Sequence, residues 1–199
     1  MAKRVYNFSM EENLSKIIVT EKKPSGLWEF LKAVIISILI VVPIRAYVAQ
    51  PFIVDGASME PNFHGGNYLI IDELSYQFFR EPSRGDVIVF RAPTNQSQFY
   101  IKRIIGLPGE SVEISNNKLY ITTTSGATFM LDEPYIPKSF NTDPNIIKKL
   151  NKDEFFVLGD NRPHSSDSRI WGVLPRKNIT GKALVRLWPI DEIELIKNY

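Results

Sequence analysis

Phe99–Ile105, FYIKRII, sets two basic residues among five apolar or aromatic ones. Apart from Lys102 and Arg103 the stretch is β-branched or aromatic, which favours a strand. Alternation along a strand puts Lys102 on one face with Tyr100 and Ile104. Arg103 falls on the other, with Ile101 and Ile105. An apolar face strips water from Lys102 and disfavours its charged form.

The same chemistry recurs from Phe52 onward. NYLIID, DVIVFR, SVEI, KLYITT, ATFML, EFFVLGD and ALVRLW are all rich in β-branched and aromatic residues. HGG, SRGD, APTN, GLPGE, SNN, TSG and GDNRP separate them as turns. Short strands at this spacing predict a mainly β fold, a barrel or a sandwich. Leu131 to Lys152, with Pro134, Pro137 and Pro144, reads as a looser excursion, part of a wider one over about 108–152.

Residues 26–54, GLWEFLKAVIISILIVVPIRAYVAQPFIV, have a different character. Ala33 to Ile44 is apolar except for Ser37 and Pro43, and apolar flanks lengthen it toward the 18–20 residues that span a bilayer. Lys32 and Arg45 fall near its two edges, and Trp28 and Tyr47 suit the interfaces. A buried core helix and an export signal cut after AYVA, Ala46 to Ala49, are the competing readings. Lys3, Arg4, Lys16, Lys22 and Lys23 precede the segment, whereas Gln50 to Leu69 hold no lysine or arginine. Basic residues stay on the cytoplasmic side. The expected organisation is a cytoplasmic tail over 1–25, a single transmembrane helix over 26–49 and an extracytoplasmic β-rich domain over 50–199.

Composition narrows the chemistry. The chain has 199 residues, 44% of them hydrophobic and 23% charged, as in an ordinary folded domain. Its net charge of +2, with no basic run interleaved with aromatics, argues against a nucleic-acid partner. With no cysteine there is no disulfide, no thiol catalysis and no cysteine metal site. Two histidines, His64 and His164, are too few for a typical zinc site.

DGASMEP, Asp55 to Pro61, places Ser58 among small residues just after an apolar stretch. A serine nucleophile needs a base. One arrangement is a triad of Ser58, His164 and Asp167, since triads are defined by geometry and not by order. The other is a lysine whose pKa burial lowers, for which Lys102 has the context. A third stretch, GDNRPHSSDSRIWG at 159–172, is dense in hydrogen-bonding groups. Held between strands, it must satisfy them internally, for instance by an Asp167–Arg169 pair.

In this order the stretches resemble the type I signal peptidases. GASMEP resembles the nucleophile box of that family, and RGDVIVFR its second box. YIKRIIGLPGE resembles the lysine-bearing box, and GDNRPHSSDSR the most distinctive one. The resemblance implies a membrane-bound serine endopeptidase that removes signal peptides from exported precursors. It implies Ser58 as nucleophile and Lys102 as general base, with Ser165 orienting the lysine and Asp167 and Arg169 holding the loop. It sets Phe52, Val54, Met59, Tyr100 and Ile101 near the substrate groove, which prefers small residues three before and one before the cut. It implies no metal and no organic cofactor. The expected location is the cell membrane, near the export machinery, with precursor proteins and the lipid bilayer as partners. Some members carry a serine two before the nucleophile to help hold the oxyanion. Here that position is Gly56, which leaves the Ser58 N–H and a second donor to be found.

Overall fold

In the computed structural model, residues 26–43 and 50–197 are described. The chain divides into two units, with the boundary between Val41 and Val42. Helix α1, Gly26–Pro43, accounts for all of the described part of the first, residues 26–41. Its apolar side chains, among them Ile36, Leu39 and Ile40, are exposed. The expected transmembrane span is not found: among the described residues no helix is long and apolar enough to cross a membrane. The rest of the expected span, residues 44–49, lies outside the described residues, as do the tail over 1–25 and the AYVA cleavage site.

In the second unit, β1 (Gln50–Ile53), β2 (Tyr68–Asp72), β3 (Val87–Ala92), β4 (Asn95–Gly106), β9 (Glu154–Leu158), β10 (Leu174–Pro175) and β11 (Ile179–Trp188) form the larger sheet. Its order is β1-β2-β11-β3-β4-β9-β10, and β12 (Glu194–Leu195) pairs with β11. A four-stranded sheet holds β5 (Ser111–Ser115), β6 (Lys118–Thr122), β7 (Thr128–Met130) and β8 (Ile146–Lys149), ordered β7-β6-β5-β8. The mainly β expectation holds, but among the described residues neither sheet closes into a barrel. Closure requires the end strands to pair, and the ends of the larger sheet, β1 and β10, do not pair with each other.

Core packing explains why some strands read as unbroken apolar runs. Val87 and Val89 of β3 join Val54, Met59, Leu69 and Ile71, while Ile88 and Phe90 pack with Ile104, Phe155 and Val157 on the other face. Phe156 and Leu158 of β9 pack instead with Val112, Ile114, Leu119 and Ile121 of the smaller sheet. Strands covered on both faces lose the polar-out alternation. The excursion over 108–152 therefore carries a second sheet, seated on the first through Ile105, Phe156 and Leu158, while residues 131–145 lie outside any strand.

Two differences bear on the site. β4 starts at Asn95, inside the expected APTN turn, and runs for 12 residues. Strand β9 pairs with it only at Arg103, Ile104 and Gly106. Opposite β3, the Phe99–Lys102 segment thus has a free edge among the described residues.

Candidate active site

Ser58 sits on a turn just beyond β1. The Val54 N–H donates to the Asn67 carbonyl, and the Gly66 N–H to the Val54 carbonyl, each at 2.9 Å. Met59 and Phe63 are buried in the core and anchor the turn from below. Gly56 has φ +81°, in the left-handed region, and no atom would obstruct a Cβ there. Glycine is suited to this position by its backbone, not by crowding.

Lys102 lies opposite Ile88 on β3 and is 3% exposed. Its Nζ is 2.7 Å from Ser58 Oγ and 2.8 Å from the Ile101 carbonyl oxygen. Burial pushes the amine down from 10.5 to about 8, partly opposed by the negative charges of Asp167 and Asp160. The amine is therefore neutral in a substantial fraction of molecules near pH 8.

Residues 159–169 pack against the nucleophile turn. The Asn161 N–H donates to the Ser58 carbonyl at 3.1 Å, and Asn161 Nδ2 to the Ala57 carbonyl at 2.9 Å. A Cβ on Gly159 would lie 2.4 Å from the Ser58 carbonyl oxygen and 2.1 Å from Ser165 Oγ, so only glycine fits. Asp160 accepts from Arg103 at 2.9 and 2.6 Å, and Asn62 Nδ2 donates to it at 2.8 Å. Asp167 accepts from Arg169 at 2.8 and 2.7 Å and from the Gly159 N–H at 3.0 Å. Arg169 also donates to the Arg162 carbonyl at 2.7 Å, and Arg162 is paired with Glu133. The loop is thus a buried charge network.

Ser165 is buried beside Gly159, but its Oγ makes no hydrogen bond among the described residues. The Lys102 amine bonds to Ser58 and the Ile101 carbonyl instead of to Ser165. The histidine arrangement does not assemble. His164 is exposed on a 3₁₀ turn, and the Asp167 carboxylate is taken by Arg169. His64 is exposed 3.5 Å from Glu60. Among the described residues no group of three or more histidines and carboxylates could hold a metal ion.

A cavity of about 110 Å³ runs from Ser58 and Lys102 along β1 and β4, lined by Phe52, Val54, Tyr100 and Ile101. Met59 is not in its lining; its side chain is fully buried in the core below. Leu69, Val89 and Phe99 also line the cavity and escaped the sequence reading. The Phe52 and Phe99 rings meet edge to face at 5.2 Å. Phe99 and Ile101 alternate along β4, a signal present in FYIKRII itself.

A hydroxyl held against a buried amine of lowered pKa, beside an apolar groove with a free strand edge, has the parts of a hydrolase site. The chain belongs to the signal peptidase, peptidase S26, family, whose model matches residues 27–188. It is thus a peptidase of the signal peptidase I kind. A probable signal peptidase I-2 of Synechocystis sp. is 36% identical over 94% of this chain and 86% of its own length. A signal peptidase I of Leptolyngbya laminosa is 37% identical over 86% of this chain and 85% of its own. A crystal structure of an Enterococcus faecalis signal peptidase I is 34% identical and covers 52% of this chain and 97% of its own, with a TM-score of 0.44.

Proposed function

We propose that the protein removes signal peptides from exported precursors, with Ser58 as nucleophile and Lys102 as general base. The observation that carries this is the 2.7 Å approach of a buried Lys102 amine to Ser58 Oγ. In its neutral form the amine takes the hydroxyl proton as Oγ bonds to the scissile carbonyl carbon. The carbonyl π pair moves to oxygen. Collapse breaks the C–N bond, and the lysine ammonium gives its proton to the departing amine. Water, activated by the same amine, then hydrolyses the ester. Asp167 and Arg169 hold the loop behind the dyad, and Ser165 lies beside it. The precursor binds extended, adding a strand to the free edge of Phe99–Lys102. A cavity of about 110 Å³ suits small side chains before the cut.

Membrane association is part of the same proposal. The exposed apolar side chains of α1 meet lipid, and the basic residues before residue 26 favour a cytoplasmic tail and an extracytoplasmic β unit. For that, the crossing would need the whole expected segment 26–49 and not α1 alone. There the catalytic unit meets precursors beside the export machinery, where their own apolar segments leave the cut site.

The test is cleavage of a precursor with an Ala-x-Ala site. Ser58→Ala abolishes it, and Lys102→Ala slows it by about 10²–10⁴-fold, the usual contribution of a general base. His64→Ala and His164→Ala leave it near wild type. Activity retained in Lys102→Ala together with loss in His164→Ala would replace the dyad by a histidine mechanism.

A further inference from the structure

Asn161 is buried and touches the nucleophile turn twice, through its backbone N–H at the Ser58 carbonyl and through Nδ2 at the Ala57 carbonyl. These carbonyls belong to the peptide units just before and just after the Ser58 Cα. The Ala57–Ser58 peptide is trans, so its N–H points opposite to its C=O. A carbonyl gripped by the loop therefore turns the Ser58 N–H away from the loop. The Glu60 N–H reinforces the grip, reaching the Ala57 oxygen at 3.2 Å. The Ser58 N–H itself makes no hydrogen bond among the described residues and is free to donate. Asn161 Oδ1 is buried and has no hydrogen-bond partner among the described residues, where the side-chain amide is held by its donor end alone. A flipped amide would set oxygen against the Ala57 oxygen, and this contact fixes its orientation.

We infer that Asn161 is a positioning residue for the reaction: its side-chain amide, by gripping the Ala57 carbonyl, aims the Ser58 N–H at the oxyanion. The inference rests on the reading of Ser58 as nucleophile. Position 56 is glycine and offers no hydroxyl, so the orientation of this backbone donor carries more of the transition-state charge. Substrate binding in the groove does not use Asn161, which is absent from the cavity lining.

Asn161→Leu keeps the approximate shape and removes the donor; Asn161→Ala is the second variant. Both are assayed as full chains in detergent with an Ala-x-Ala peptide, with rates normalised to the folded fraction from near-UV circular dichroism. The inhibitor is a peptide aldehyde with the same ending. It forms a bond from Ser58 Oγ to its carbonyl carbon, sends the π pair to oxygen and leaves the hydroxyl proton on Lys102. Loss of one oxyanion donor typically costs about 10²–10³ in rate. The expected result is a kcat lowered by about 10²-fold in Asn161→Leu, with KM within about 2-fold of wild type. Aldehyde affinity should weaken by the same factor as kcat/KM, and the pH midpoint should stay in place. Activity lost only in proportion to the folded fraction overturns the inference. So does a raised KM at unchanged kcat, or a lowered kcat with unchanged aldehyde affinity. Cleavage retained in Ser58→Ala is a separate outcome, which removes the nucleophile reading underneath.

Discussion

At the scale of single residues, Lys102 ties stability to pH and activity to the same proton. Its folded pKa, about 8, lies below the ordinary 10.5 because burial disfavours the ammonium. Between those values the unfolded chain binds more protons than the folded one, so stability rises with pH there. The destabilisation is fully present below pH 8, shrinks as pH rises through that value and is gone above 10.5. Its size corresponds to roughly 3 kcal/mol. Lys102→Met should therefore gain on the order of 1–3 kcal/mol at pH 6 and little at pH 10. Denaturant unfolding of both proteins at the two pH values measures this, and an equal or larger gain at pH 10 would refute it. The activity of the wild type should rise with pH to a plateau above about 8. A midpoint near 6.5, the unperturbed histidine value, would point elsewhere.

Among elements, β4 and the 159–169 loop depend on each other. Arg103 follows Lys102 on β4 and turns its guanidinium onto Asp160, the Gly85 carbonyl and the Tyr135 ring, 4.0 Å away. Both Arg103 and Asp160 are essentially inaccessible to water. Asp160 accepts two of the Arg103 hydrogen bonds, and breaking a buried pair by removing one member is strongly destabilising, so Asp160→Ala should cost about 3–5 kcal/mol. Glu81→Ala breaks the Arg176 pair, in which the glutamate side chain is 83% exposed, and should cost less than about 1 kcal/mol. Equal losses in the two unfolding curves would contradict this account. Residue type told where strands lay, and FYIKRII, DVIVFR and EFFVLGD fall on β4, β3 and β9. The β1 strand QPFI and the β8 strand IIKK were not legible, being four residues long and without alternation of their own. At the candidate site, residue type and context marked Ser58 and Lys102 as candidates beside a histidine alternative, and the family resemblance set the lysine first. The grip of Asn161 on Ala57 was not legible, because it joins residues 104 positions apart.

For the whole molecule, α1 exposes an apolar surface that water does not favour. The full chain should float with phospholipid vesicles in a density gradient. Replacing Ile36, Leu39 and Ile40 of α1 by glutamate should return it to the bottom fractions; flotation unchanged by those replacements would place the lipid contact elsewhere. The amino-acid sequence by itself determined the β-rich character, the two basic residues on one strand, the serine on its turn and the polar loop. Each follows from local propensity and the two-residue period of a strand. Only tertiary structure decided that the sheets stay open, that Met59 goes to the core and that His164 remains in solvent. It also decided that an amine reaches a hydroxyl 44 positions away. The reason is physical: propensity acts between neighbours along the chain, whereas desolvation and hydrogen-bond geometry depend on what packing brings together across it.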